Sequence, residues 1–280
     1  MKKVVISKVD MDTALTAYII GVKREDEIIV VRERAKQEWL SSEKFICIEC
    51  GGSGKVEFNN FDHHDEGKDL PAACQQAYEK YAQKDDEKLK KLVEYVSIVD
   101  TNPKSLPPAQ FPTLSSVFSG MLLTVKSKEQ QLFKGMDVFK EVIKNGIDPF
   151  LTMPELKVWK KYIEAKRKAE TELKKAILRA KFFLSKKNLK IGYIETDLPG
   201  ALGALYEMGA DVAIAYSPNF GSPPIRKFTI AGNNINVFHL VDIFNKSEAG
   251  WGGRNTIIGS PRKGTRLSVK HVINIVRENI

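Results

Sequence analysis

The chain has 280 residues, 42% of them hydrophobic and 28% charged, and a formal net charge of +9. This is an ordinary globular composition, long enough for one or two buried cores. The apolar run after Met1-Lys2-Lys3 is cut by Asp10 and Asp12, which excludes a secretory signal. No later stretch reaches the ~18 apolar residues of a membrane span, so the sequence predicts a cytoplasmic protein without a membrane partner.

In chain order, residues 4–7 form a short apolar strand and 13–20 a helix, with Asp12 as its expected N-cap. Residues 27–32 are a β-branched strand, 37–40 a short helical piece and 45–48 another strand. Cys47 and Cys50 make a C-x-x-C, but residues three apart on a strand point to opposite faces. No second pair completes a zinc site, so core cysteines are expected. Beyond Asp62-His63-His64-Asp65, residues 71–83 are predicted helical, with Asp69 near the start and Pro71 in the first turn. A further helix over 87–99 runs into Asp100. This alternation predicts a mainly parallel sheet with helices on its faces.

A loop punctuated by Pro103, Pro107, Pro108 and Pro112 precedes helices at 115–125 and 129–144; in the second, Val138, Phe139, Val142 and Ile143 keep helical spacing. Residues 155–184 are predicted as one long helix connecting two domains. Between Glu155 and Lys190, thirteen Lys or Arg face four Glu, an excess equal to the whole net charge. Such a surface suits an anionic partner, a short single-stranded nucleic acid included, or is simply a solvated helix face. Strands are then expected at 189–194, 211–216, 226–230 and 236–240, a helix at 200–208, a glycine-rich loop at 250–264 and a closing helix at 267–278. The expected fold class is α/β: a mainly parallel-sheet domain over 1–150, a helical connector over 151–187 and a smaller α/β domain over 188–280.

Four elements carry chemistry. Asp10 and Asp12 form a D-x-D where a strand meets a helix, the sheet edge at which α/β proteins bind ligands. Two carboxylates there suit a divalent cation, although Asp is also a common cap. His63 and His64, half of the four histidines, sit side by side with acids flanking them, and an acid beside an imidazole orients it at metal sites. Glu49 follows one strand and precedes Gly51-Gly52; Asp100 follows an apolar run. These last two supply the oxygen ligands that the first two elements lack.

The order D-x-D, acid after a strand, D-H-H and later Asp resembles the four motifs of the DHH phosphoesterases. Glu49-Cys50-Gly51-Gly52 ahead of Phe61-Asp62-His63-His64 is similar to the RecJ-like, MYG-type branch of that superfamily. Trp251-Gly252-Gly253-Arg254-Asn255-Thr256-Ile257-Ile258-Gly259 resembles the glycine-rich loop of its associated C-terminal domain. The resemblance implies a phosphohydrolase that binds manganese or magnesium and acts on a nucleotide, short oligonucleotide or other phosphate ester in an interdomain cleft. It implies Asp12, Glu49, His63 and Asp100 as metal ligands, with Asp10 and Glu49 at a further ion. Asp62 would support His63, His64 would face the substrate phosphate, and Gly252, Gly253 and Arg254 would grip it. Lys8 stands where the first motif has His, and an ammonium cannot ligate a metal; one well-held ion is expected, two only if the Lys8 side can still fill. Glu49 stands for Asp, Arg254 for His, and Ile257 and Ile258 for alanines. These exchanges sustain an alternative, a catalytically weakened anion-binding or nucleic-acid-binding protein on the same fold.

Overall fold

The computed structural model describes all residues except 33, 53, 65–69, 83–85 and 222, and the side chain of Lys104. Asp65, Asp69 and Gln83 therefore lie outside the described residues. The chain divides within one helix into two compact units, Met1–Lys166 and Arg167–Ile280. Among the described residues no helix is long and apolar enough to cross a membrane.

The first unit is built on a parallel sheet. Lys3–Ile6 (β1) pairs with Glu27–Val30 (β2) and with Phe45–Ile48 (β3), and β3 pairs with Asn60–Phe61 (β4), giving the order β2-β1-β3-β4. Ile6 lies opposite Ile48, and Ile48 opposite Phe61, so three strands leave the sheet at one level along its carboxyl edge. Alternate side chains serve opposite faces. Val4, Ile6, Ile46, Ile48 and Phe61 join the large core, whereas Val5 and Cys47 pack on the other side with Ala35, Leu40 and Cys50.

The large core is covered by Met11–Ile20 (α1), Ala73–Tyr81 (α3), Glu87–Thr101 (α4), Leu114–Thr124 (α5) and Lys128–Lys144 (α6), while the single turn Gln37–Leu40 (α2) lies with the smaller cluster. Leu15, Leu92, Leu114, Leu132 and Phe139 are fully buried there, each worth ~1.5–3 kcal/mol of transfer free energy. Helix α1 is buried along most of its length and ends at Gly21, whose φ of +69° lets its amide reach back to Ala17 and Tyr18 carbonyls.

The helix expected over 155–184 is shorter. Lys160–Ile177 (α7) stops, and Lys181–Leu184 (β5) begins a second sheet. Adjacent Phe182 and Phe183 explain the switch: they pack against two different hydrophobic clusters, which a strand allows and a helix does not. Met153 and Trp159, also within the expected connector, belong to the first core. The second sheet runs β5-β6-β7-β8-β10-β9, with Lys190–Glu195 (β6), Val212–Phe220 (β7), Ile225–Gly232 (β8), Gly252–Arg254 (β9) and Ile257–Gly259 (β10). Its single parallel pair, β6 with β7, is joined through Ala201–Glu207 (α8); the other pairs are antiparallel. Leu240–Ser247 (α9) and Val269–Asn279 (α10) supply buried residues to the cluster on one face.

Two expectations in this unit fail. Residues 236–240 are not a strand but the turn into α9, and the loop over 250–264 contains the β9–β10 hairpin. A side chain at Gly253, φ +156°, would place Cβ 2.2 Å from the Ile257 carbonyl oxygen. Glycine is what lets this hairpin close, so a glycine-rich stretch was a strand signal here.

Candidate metal centre

The carboxyl edge of the first sheet gathers the chemically active side chains. The chain leaving β1 carries Lys8, Asp10 and Asp12; that leaving β3 carries Glu49; that leaving β4 carries Asp62, His63 and His64. Asp100 comes from the last turn of α4. Ligand atoms of Asp12, Glu49, His63 and Asp100 lie within 4.8 Å of one another, as do those of Glu49, His63 and His64.

Glu49 is the hub. Its side chain is fully buried, and its φ of +46° turns the chain sharply out of β3. Oε1 lies 3.1 Å from His63 Nε2 and 3.2 Å from His64 Nδ1, while Oε2 accepts a hydrogen bond from Thr13 Oγ1 at 3.2 Å. His63 Nε2 is 2.8 Å from Asp100 Oδ2. Yet Glu49 Oε1, His63 Nε2 and Asp100 Oδ2, although within ion-pair distance of one another, are buried atoms that make no well-directed hydrogen bond. Three such atoms converging on one point, from two carboxylates and an imidazole, are costly as they stand. They fit a divalent cation, and their oxygen and nitrogen donors suit manganese, magnesium or zinc.

The same turn at Glu49 corrects the reading of the cysteines. Cys47 and Cys50 do not face apart: the kink swings Cys50 back to the Cys47 side, and both thiols share the small core. Their mutual contact lowers the Cys47 pKa and, with burial, raises that of Cys50. Both remain buried and free.

Asp10, not Asp12, caps α1: its Oδ1 accepts from Thr13 N at 2.9 Å. Asp12 instead reaches the start of α3, where Oδ2 accepts from Ala73 N at 2.8 Å and Oδ1 from Cys74 N at 2.6 Å. A carboxylate at a helix N-terminus is well placed against the helix dipole. Burial and then Glu49 nevertheless push the Asp12 pKa up to about 7. Each carboxylate oxygen retains a lone pair for a further ligand.

Asp62 supports His64 and not His63, because in extended chain residues two apart share a side. Its Oδ1 accepts from His64 N at 2.9 Å and lies 3.1 Å from His64 Nδ1; its Oδ2 accepts from Gly51 N at 2.8 Å and Gly52 N at 3.1 Å. Gly52 leaves room there for the buried Asn60 side chain, since a Cβ would fall 1.9 Å from Asn60 Oδ1. The contact with Asp62, then Glu49, raises the His64 pKa to about 9, and the Asp100 carboxylate, then Glu49, raises that of His63 to about 10. Burial pushes the Glu49 carboxyl up, but His63, His64 and Lys8 outweigh it and hold it below the usual range.

Lys8 Nζ lies 2.7 Å from Asp10 Oδ2 and 3.3 Å from Glu49 Oε2. The ammonium thus lies between Asp10 and Glu49, paired with both. Sequence reasoning missed Thr13, which steadies Glu49, and the Ala73 and Cys74 amides, which steady Asp12; neither a lone Thr nor a backbone N–H carries a motif. Gly252, Gly253 and Arg254 form exposed strand β9 of the second unit.

Among solved structures, the chain aligns over 99% of its length with 96% of a pGpG-specific phosphodiesterase, PggH, from Vibrio cholerae, at 15% identity and a TM-score of 0.59. The chain shares the fold of that protein. The DHH domain of a protein described as a member of a ribosomal-protein family aligns over 92% of this chain and 82% of its own, at 13% identity and a TM-score of 0.41. No family model matches the sequence, and no curated protein does. The side chains of the candidate centre all come from the first unit.

Proposed function

We propose that the chain is a metal-dependent phosphohydrolase acting on a nucleotide, a short oligonucleotide or another phosphate ester. The observation that carries this reading is the convergence of the buried or half-buried side chains of Asp12, Glu49, His63 and Asp100 at the carboxyl edge of a parallel sheet. These four would hold manganese or magnesium. When bound, the ion would polarise a phosphoryl oxygen and neutralise charge as the ester bond breaks.

The remaining roles fall to the chain's own groups. Asp62 fixes the His64 ring through Nδ1, which leaves Nε2 to donate a hydrogen bond to a phosphate oxygen. The raised His64 pKa keeps that ring protonated at neutral pH. Asp10 holds Lys8 and caps α1. Arg254 would fork onto phosphate oxygens, with the Gly252 and Gly253 backbone beside it.

The test is turnover of a panel of phosphate monoesters, diesters and pyrophosphate by metal-stripped protein, with and without added Mn²⁺. A linear dinucleotide such as pGpG belongs on it, because PggH is specific for that compound. Mn²⁺-dependent hydrolysis that disappears in His63→Ala supports the proposal. Tight phosphate binding without turnover supports the second reading, an anion-binding protein, which the fixed Lys8 cation favours.

A further inference from the structure

Glu49 faces two ways. One oxygen looks into the metal group of His63 and Asp100; the other looks towards Lys8. Because the Glu49 side chain is fully buried and that of Lys8 is 45% exposed, Lys8 lies on the solvent side of the centre. An ammonium carries three N–H donors. Among the described residues Lys8 meets two carboxylates, Asp10 and Glu49, so donor capacity remains for a ligand oxygen.

We propose that Lys8 is a tethered cation of this centre, which limits it to one metal ion and binds a phosphoryl oxygen of the substrate beside that ion. The inference rests on the proposed phosphohydrolase reading and adds a residue and a stoichiometry to it. Two acids flank Lys8, and a divalent ion placed between them would have to displace an ammonium already paired with both. A fixed cation next to a bound ion offers an incoming phosphate two positive contacts at different depths, one buried and one at the surface. Such preorganised charge is effective because it needs no reorganisation when the anion arrives.

Calorimetric titration of the metal-stripped full chain with Mn²⁺, followed by inorganic phosphate, tests this. Wild type binds one Mn²⁺. Lys8→Ala frees Asp10 and Glu49, so a second, weaker Mn²⁺ event appears; with Mn²⁺ held at one equivalent, so that the weaker position stays empty, phosphate affinity falls ~10-fold or more, the scale of a charged hydrogen bond. Lys8→Arg keeps a tethered cation, so it retains a single event and near-wild-type phosphate affinity; it also serves if Lys8→Ala fails to fold. Two Mn²⁺ events in wild type, or a Lys8→Ala protein with one event and unchanged phosphate affinity, overturns the assignment of Lys8. Absence of any Mn²⁺ binding in wild type overturns instead the metal-centre reading on which it rests.

Discussion

Replacing Asp12 by Asn separates two roles of one carboxylate. In the metal-free protein Asp12 is 1% exposed, and burial followed by Glu49 lifts its pKa from the usual 3.8 to about 7. An acid whose folded pKa exceeds its unfolded value binds more protons folded than unfolded between the two. Stability therefore falls as pH rises from about 4 to about 7, and the cost is complete above that. At ~1.4 kcal/mol for each pH unit of that window, ionised Asp12 costs the metal-free fold ~4 kcal/mol at pH 8. Asparagine removes the charge but turns its NH₂ towards either Ala73 N or Cys74 N, which returns ~1–3 kcal/mol. Metal-free Asp12→Asn is then more stable than wild type by ~1–3 kcal/mol at pH 8. Mn²⁺ reverses the order, because an ion at a hundredfold excess over its Kd stabilises the wild type by ~2.7 kcal/mol and the variant by less. Urea unfolding at pH 8, in chelator and in Mn²⁺, reads this out through tryptophan fluorescence; Trp39 and Trp159 lie in the first unit. A metal-free variant less stable than wild type at pH 8 refutes the reasoning and leaves Asp12 as a cap of α3 alone.

Metal binding should release about one proton near pH 8, where Asp12 is already largely ionised, since the raised His63 pKa of about 10 keeps that ring protonated until the ion arrives. Mn²⁺ titrations in buffers of different ionisation enthalpy measure it, and equal heats in all buffers would contradict it. Gly52→Ala should lower stability by ~1–3 kcal/mol through overpacking against buried Asn60; an unchanged urea midpoint would show that the Asn60 side chain yields. Arg254→Ala should weaken phosphate binding by ~1.5–3 kcal/mol with Mn²⁺ affinity unchanged, and normal phosphate affinity would show that Arg254 takes no part in it.

The parallel sheet was legible because β1, β2 and β3 are short β-branched or apolar runs separated by helical segments. The proximity of Asp12, Glu49, His63 and Asp100 was legible only through the resemblance of the motif order; no local pattern says that the ends of β1, β3 and β4 share a level, which is a matter of register. What was hidden depended on backbone conformation. Positive φ at Glu49 reverses the facing of Cys50, a strand that continues as extended chain passes the support of Asp62 to His64, and the N-terminus of α3, distant in sequence, claims Asp12. The end of α7 was missed because a Lys-rich helix passes into β5 without a proline or glycine to mark the change.

Anomalous diffraction from a crystal soaked in Mn²⁺ tests the central claim most directly. The account predicts one anomalous peak enclosed by Asp12, Glu49, His63 and Asp100 and none between Lys8 and Asp10. A peak remote from those four side chains, or a protein that turns over phosphate esters with no ion there, would contradict it.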